Sequence, residues 1–243
     1  MQNLSTKTVR EIALEMPLTT RIFEEFKIDY CCGGRKPFVE ACQNVGANPD
    51  LVLQKIEDVI ESTEYKEFEW LKDTTLSDLI GYILETHHTF TRDEIFNLTP
   101  LTAKVASRHG ENHPELLKLK EVFDELCNDL EPHLLKEEQV LFPYVQQLEQ
   151  SLLNSASVPF SCFGTVQNPV RMMMMEHDTA GDLLKKMREI TNDYTLPDDA
   201  CPSYTALFNR LEAFEKDLHQ HIHLENNLLF PKAIELEEKA LAV

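Results

Sequence analysis

Apolar residues recur at the three- and four-residue spacing of amphipathic helices along most of the chain. Near the N-terminus one such face ends at Pro17, a second apolar stretch surrounds Phe23, and a third pattern predicts a helix from Asp50 to Ile60. These short patterns predict a small helical domain over residues 1–62. Because a unit of about 60 residues buries little apolar surface, it is marginally stable on its own.

An acidic stretch without clean periodicity follows at residues 63–74 and is interpreted as a linker, anchored by Phe68 and Trp70. Four longer helical patterns then occupy residues 75–243. The predicted fold class is therefore all-α, a four-helix bundle preceded by a small helical N-terminal domain. The starts of the four helices carry capping signals: Thr75 with Asp78, Pro114, Asn168 with Pro169, and Pro202.

The charge balance narrows the classes of partner. The chain has 23 basic and 42 acidic residues, a formal net charge of −19, which disfavours binding to nucleic acid or to an anionic membrane surface. No apolar run reaches the roughly 20 residues that cross a bilayer, and the N-terminus lacks the pattern of a secretory signal. The six cysteines are interpreted as reduced thiols, and a cytoplasmic location is expected.

An internal repeat carries the candidate chemistry. The pattern H-x-x-x-E-x-x-x-L-F-P begins at His133 and again at His221, 88 residues later. The helix before each copy holds a histidine late in an apolar run: His88 precedes His133 by 45 residues, and His177 precedes His221 by 44. The bundle is therefore predicted to consist of two similar helical hairpins.

The spacing in the repeat places its ligands on one helix face. Residues i and i+4 point the same way, so His133 lies above Glu137 and His221 above Glu225. Packing two such hairpins together would bring four imidazoles and two carboxylates into one interior. Two divalent cations would remove the cost of burying the carboxylates, with each metal taking two imidazoles and both carboxylates bridging. Mixed imidazole and carboxylate ligation suits iron or manganese, and zinc stays open.

A single His-x-x-x-Glu pair is better explained as an ordinary polar pair, because i,i+4 polar pairs are common on helices. Two copies with matched flanks and matched upstream histidines favour a metal centre. Glu176, directly before His177, is a candidate to contact the rim of this centre. His87 is expected to face solvent or a neighbouring helix, and His109 and His113 lie in a connection where capping is the expected role.

The small domain contains two adjacent cysteines, Cys31 and Cys32, followed by Gly33 and Gly34. The glycines allow close backbone approach or a positive φ, which would keep both thiols accessible. The functional interpretation is a pair of redox thiols that passes electrons, nitrosyl or iron, and the alternative is a small turn with one buried cysteine. The other four cysteines are isolated and are expected to be buried structural thiols: Cys42, Cys127, Cys162 and Cys201.

The run Asp29-Tyr30-Cys31-Cys32-Gly33-Gly34, followed by the duplicated hairpins, resembles the bacterial iron–sulfur cluster repair di-iron proteins, which carry a hemerythrin-like bundle. The resemblance covers nearly the whole chain. It implies a non-haem centre of two iron ions, oxo- and carboxylate-bridged. The ligands it implies are His88, His133, His177 and His221, with Glu137 and Glu225 as the bridging residues, the same six that the repeat selects.

The resemblance implies a stress-response role: repair of iron–sulfur clusters damaged by nitric oxide or peroxide, by iron supplied from a labile di-iron centre. One alternative is reduction or scavenging of nitric oxide at that centre, so enzyme status stays open. Another is a gas or redox sensor. The partners expected are damaged iron–sulfur proteins or nitric oxide, with assembly into a homodimer left open.

Overall fold

The computed structural model describes residues 4–60 and 74–242. The described residues are mostly helical and contain no strand, only an isolated β-bridge between Thr8 and Pro37, so the predicted all-α class is confirmed. The predicted linker, apart from Thr74, lies outside these residues, as do Phe68 and Trp70. Within the described ranges, no helix combines the length and apolar character required to traverse a bilayer.

Four short helices and a 3-10 turn form the N-terminal domain. The 3-10 turn is Leu4–Thr6, and the helices are α1 Val9–Glu15, α2 Thr19–Glu25, α3 Phe38–Asn44 and α4 Pro49–Ile60. A capping box between Thr8 and Glu11 starts α1. The sequence pattern did not predict α3, whose buried Phe38 joins Phe23 and Ile56 in a separate apolar core.

Four long rods form the bundle, and three of them contain a π-helical segment. The rods are α5 Leu76–Tyr82, π-segment Ile83–His88 and α6 Thr89–His109; α7 Glu115–Lys136, π-segment Glu137–Leu141 and α8 Phe142–Leu153; α9 Gln167–Thr191; and α10 Pro202–Leu224, π-segment Glu225–Leu229 and α11 Phe230–Leu241. Apolar cores lie on either side of the π-segments, one around Leu126, Leu184 and Leu211 and the other around Ile80, Phe142 and Phe230.

The two repeated π-segments follow from the repeated prolines. The N–H of Phe142 donates to the carbonyl of Glu137, five residues earlier, and Phe230 donates in the same way to Glu225. Because Pro143 and Pro231 have no N–H, the carbonyls four residues before them lose their usual helical partner. Each widened turn starts at a repeat glutamate, as expected for π-bulges, which are frequent at functional sites.

The rods start close to the predicted caps, with two differences. Thr75 accepts a hydrogen bond from the N–H of Asp78, and α10 begins at Pro202, as predicted. Pro114 directly precedes α7 and is not its first residue. The third rod, α9, begins before Asn168, because the buried carboxylate of Glu237 accepts hydrogen bonds from the N–H of Val166 and from the hydroxyl of Thr165.

The N-terminal domain docks on the second hairpin. Arg10 donates to the carbonyl of Asn227 over 3.2 Å, which is the carbonyl that Pro231 leaves without a helical partner. The side-chain amide of Asn227 donates to the carbonyl of Tyr30 over 3.1 Å. About two turns before Asn227, Nδ1 of His219 lies 2.8 Å from Glu24. The freed carbonyl is thus used to hold the domain in place.

Replacing Arg10 with alanine should loosen this docking. A hydrogen bond to a part-buried carbonyl contributes about 1–2 kcal/mol, and the small domain depends on external contacts for its stability. We expect amide hydrogen exchange in α1 and α2 to accelerate by about 5- to 30-fold, while exchange in α7 stays unchanged. Arg35→Ala, at an exposed position, is the matched control. Equal exchange in the two variants would show that Arg10 does not hold the domain.

Candidate metal centre

The structure brings all six predicted site residues together in the middle of the bundle. Each is at most 3% exposed, and both carboxylates are fully buried. Their side chains come from all four rods: His88 from the first, His177 from the third, and a histidine and a glutamate from each of the other two. The prediction that the duplicated hairpins converge is therefore confirmed in the geometry.

The six side chains form two groups that could each hold a metal ion. One contains His88 and His221, the other contains His133 and His177, and both contain Glu137 and Glu225. Within each group the potential ligand atoms lie within 4.8 Å of one another. Each group combines one histidine from each hairpin, so neither hairpin alone provides a complete site.

The distances between nitrogen and oxygen are those of atoms that could share a cation. Nε2 of His88 and Nε2 of His133 lie 3.5 and 3.4 Å from Oε2 of Glu137. Nε2 of His177 lies 3.2 Å from Oε2 of Glu225, and Nε2 of His221 lies 3.1 Å from its Oε1. Each glutamate therefore faces one histidine of each group.

Several buried polar atoms at the centre have no hydrogen-bond partner within the described residues. Among the described residues, both oxygens of Glu137 and of Glu225 are buried without a hydrogen bond, as is Nε2 of His88. Nε2 of His133 and Nε2 of His177 face each other at 3.1 Å. Buried polar atoms are normally satisfied, so this donor set fits cations that the imidazoles and carboxylates would share.

Hydrogen-bond acceptors at Nδ1 of three imidazoles, those of His88, His133 and His177, orient Nε2 toward the centre. Nδ1 of His88 lies 2.7 Å from Glu138, and Nδ1 of His177 lies 2.9 Å from the side-chain oxygen of Asn226. Glu138 and Asn226 are equivalent positions of the repeat, each directly after its buried glutamate. An acceptor at Nδ1 keeps the proton there and leaves the Nε2 lone pair for a metal. The repeat thus encodes orientation as well as ligands.

The two hairpins differ at the residue before the first histidine of each. In the second hairpin Glu176 accepts a hydrogen bond from Nδ1 of His133 at 2.9 Å and also pairs with Lys136. In the first hairpin the equivalent residue is His87, whose ring stacks on His221 with 5.6 Å between centroids. His87 is 3% exposed, so it faces its helix neighbour and not solvent. Nδ1 of His221 has no hydrogen-bond partner among the described residues.

The electrostatics separate the two glutamates. Burial and the charge of Glu225 raise the pKa of Glu137 well above its ordinary value. Burial acts in the same direction on Glu225, but His221 and His177 outweigh it and hold the pKa of that carboxyl low. A shared proton or a cation is needed before both carboxylates can be buried face to face.

Two of the imidazoles, those of His88 and His133, are held in the neutral form, which is the form that binds a metal. Burial, followed by repulsion from His221, lowers the pKa of His88 to about 4. Burial also lowers the pKa of His133, despite its hydrogen bond to Glu176. The hydrogen bond from His133, helped by the ion pair with Lys136, lowers the pKa of Glu176 to about 2. Glu176 is therefore a charged acceptor at the rim, as its position suggested.

The two adjacent cysteines lie against the rod that carries His177. The thiol of Cys32 is 3.8 Å from the backbone carbonyl of His177. The two sulfur atoms are 3.9 Å apart and both cysteines are free thiols. Cys31 is buried and Cys32 is half-buried, so the prediction that both thiols are accessible is wrong. The hydrogen bond to Cys32 and burial raise the pKa of Cys31 well above its ordinary value.

The glycines after the thiols are required by close approach and not by a positive φ. A Cβ on Gly34 would lie 2.5 Å from the carbonyl oxygen of Tyr30, and one on Gly33 would lie 2.7 Å from Oδ2 of Asp29. Asp29 also accepts hydrogen bonds from the N–H groups of Cys31 and Gly33. The motif is therefore a tight turn that fixes the thiols next to the bundle.

Two of the remaining cysteines differ from their predicted burial. Cys42 and Cys127 are buried as expected, while Cys162 is exposed and Cys201 is half-buried. Cys162 lies in the connection between the second and third rods, and Cys201 directly precedes α10. Cys201 packs only at the edge of the apolar core that buries Cys127.

Acid should destabilise the metal-free protein through His88. Its pKa falls from 6.5 to about 4 on folding, so between these values the unfolded chain binds a proton that the folded chain does not. The contribution of the neutral imidazole to the free energy of unfolding is fully present above about pH 6.5 and is lost as the pH falls toward 4. About 2 kcal/mol of this free energy is lost between pH 7 and pH 5.

This loss can be measured by urea unfolding of chelated protein at the two pH values. The comparison is made in the Glu137→Gln variant as the parent protein, because the raised pKa of Glu137 would increase the free energy of unfolding as the pH falls and so oppose the effect of His88. We expect the decrease in unfolding free energy from pH 7 to pH 5 to be about 2 kcal/mol smaller when His88→Gln is added. An identical decrease in the parent and the double variant would disprove the role of His88.

Comparison with known proteins agrees with this geometry. Residues 79–233 match the Hemerythrin HHE cation binding domain, so the bundle carries a metal-binding site of a type that typically holds iron. Residues 5–60 match ScdA_N, a domain of unknown function.

Relatives share both parts in one chain. A probable iron-sulfur cluster repair protein of Haemophilus influenzae is 30% identical, over 96% of this chain and 98% of the relative. The iron-sulfur cluster repair protein YtfE of Dickeya chrysanthemi is 32% identical, over 94% and 96%. The iron-sulfur cluster repair protein ScdA of Staphylococcus epidermidis is 33% identical, over 92% and 96%. The chain therefore belongs to the YtfE/ScdA family of iron–sulfur cluster repair proteins, which join an ScdA_N domain to a hemerythrin domain.

Proposed function

We propose that the six converging residues bind two iron ions and that the protein repairs damaged iron–sulfur clusters by supplying this iron. The observation that carries the proposal is that two histidine pairs share the same two buried, unpaired carboxylates. In this arrangement Glu137 and Glu225 would hold both ions, and two imidazoles would help to hold each ion. The names of the relatives support the repair role.

The number of protein ligands suits a metal ion that reacts with a small molecule or is released from the site. Two imidazoles and two shared carboxylates leave coordination positions open for water or a small ligand. Bound iron would supply one-electron chemistry and an exchangeable metal ion at this point. The protein orients three of the imidazoles through Glu138, Glu176 and Asn226, so its own groups affect how tightly each ion is held.

The thiol pair supports iron transfer because of its position. The thiol of Cys32 lies 3.8 Å from the backbone carbonyl of His177, and this closeness to the rod that carries a candidate ligand supports a role for the thiols. Thiolates bind iron well, and neither cysteine is in a disulfide. We assign Cys31 and Cys32 the role of receiving or guiding the ion on its way to the client protein.

Removing one imidazole should abolish repair together with iron binding. We expect the wild type to contain about two irons per chain, and His133→Gln to contain at most half of that. The variant should fail to reactivate a [4Fe–4S] dehydratase inactivated by nitric oxide. The control is Glu131→Gln, which changes an exposed acid on the same helix and should leave iron content and reactivation unchanged.

Two outcomes would contradict iron supply. Normal reactivation of the dehydratase by iron-free protein would exclude it. Catalytic formation of nitrous oxide by the reduced protein, with its iron retained and none in the client, would favour nitric oxide reduction. Isotopically labelled iron in the repair protein separates these outcomes, because supply requires the label to appear in the repaired cluster.

Replacing the thiols should separate transfer from binding. In the double variant Cys31→Ser/Cys32→Ser we expect the iron content to stay at the wild-type level, because neither residue belongs to the two ligand groups. The rate at which labelled iron reaches the client should fall at least tenfold. Cys162→Ser, which removes an exposed thiol, is the control. An unchanged transfer rate would show that the thiols only build the turn.

A further inference from the structure

A cavity of about 320 Å³ lies between the N-terminal domain and the bundle. Its wall is formed by the region where α1 leads into α2, by the end of α5 with the π-segment that follows it, and by the fourth rod around its own π-segment. None of the described residues that line it belongs to the two candidate ligand groups. The volume is in the range of small-molecule sites, about 300–1,000 Å³, and the proposed iron supply makes no use of it.

Most of the wall is apolar. The small domain contributes Leu14 and Pro17, and the fourth rod contributes Leu224 and Leu228. Leu14, Pro17 and Leu228 are only half-buried, so apolar surface stays in contact with water although the two domains are docked. Because removing such surface from water is favourable, the cavity suits a molecule with an apolar ring or chain.

His87 lines the cavity and contains a buried polar atom without a partner. Nδ1 of His87 lies 2.9 Å from Asp217, and an acceptor at Nδ1 holds the proton on that nitrogen. Nε2 is then an acceptor, and it has no hydrogen bond within the described residues although His87 is only 3% exposed. Buried polar atoms are normally satisfied, so Nε2 of His87 matches an N–H or O–H donor on a bound molecule.

The charge of the wall favours an anion. Lys232 lines the cavity and forms no ion pair within residues 4–60 and 74–242. The acid of the wall, Glu15, pairs with Lys7, so its charge is offset. The positive charge of Lys232 therefore remains to attract an anionic group, in a chain whose formal net charge is −19.

We propose that this cavity binds a small organic anion. The molecule has an apolar ring or chain that fills the cavity, an N–H or O–H group that donates to Nε2 of His87, and an anionic group that pairs with Lys232. Because both domains contribute to the wall, the bound molecule also holds the small domain on the bundle. Binding is non-covalent and does not depend on iron supply.

The probe is 2-anilinonaphthalene-6-sulfonate, a dye that has aromatic rings, an N–H donor and a sulfonate at the opposite end. N-phenyl-2-naphthylamine is its neutral counterpart. Calorimetric titration of the full-length, iron-loaded protein should give one dye per chain, with a dissociation constant on the order of 10 µM. Amide hydrogen exchange in α1 should slow on binding, because the bound dye favours the docked domain, while exchange in α7 and the iron content stay unchanged.

Paired variants locate the dye. Leu14→Trp fills the cavity from the small domain and should weaken binding at least tenfold, while Leu51→Trp, at an exposed position of the same domain, should leave binding unchanged. Lys232→Gln should weaken binding of the dye about 2- to 5-fold and leave that of the neutral amine unchanged. Lys239→Gln, exposed on the same helix, is its control. His87→Phe keeps a ring but removes the acceptor, and it should weaken binding of both molecules about 3- to 10-fold.

Iron content and helical circular dichroism verify that each variant is folded. Equal affinities of Leu14→Trp and Leu51→Trp for the dye would place it outside the cavity and overturn the proposal. Absence of saturable binding to the wild type would overturn it as well. An unchanged affinity of Lys232→Gln for the dye would overturn the assignment of an anion to the site.

Discussion

The structure depends on two fully buried carboxylates that face each other inside a helical bundle. Glu137 and Glu225 start the two repeated π-segments, and no hydrogen bond within the described residues satisfies their oxygens. Burying like charges in an apolar interior costs several kcal/mol unless opposite charge is placed between them. Neutral imidazoles cannot supply that charge, so the arrangement is stable only with protons or cations. The two glutamates therefore lower the stability of the metal-free bundle and at the same time form part of its metal site.

Duplication produced this arrangement, and its departures from symmetry distinguish the two ligand groups. Both hairpins place an acceptor after the glutamate, but only the second places an acid, Glu176, before its first histidine. The equivalent His87 stacks on His221 and contacts Asp217 through its own Nδ1. The group with His133 and His177 is thus supported by two outer acceptors, whereas His221 has none. Different outer partners change metal affinity and reactivity, so the two positions are not equivalent.

The convergence of the six side chains was predictable from the sequence because i,i+4 spacing and an 88-residue repeat constrain which residues share a face. Features that depend on tertiary contacts were not predictable. The short α3 lacks a long periodic pattern, and the start of α9 depends on Glu237 from another rod. The orientation of His87 was only partly anticipated, because the π-segment Ile83–His88 changes the angle between consecutive residues from that of an α-helix.

The docking of the small domain makes the two sides of the centre different. Pro143 and Pro231 each release a backbone carbonyl, but only the one at Asn227 is covered by Arg10, while Gln139 lies exposed on the first hairpin. Because the small domain docks at Asn227, Cys32 lies on the His177 side of the centre. On the other side, a cavity of about 320 Å³ between the domains is bordered by His87 and His223. Cys32 thus lies beside the backbone of His177, while the cavity borders His87, the residue directly before His88, so the two sides of the centre have different surroundings.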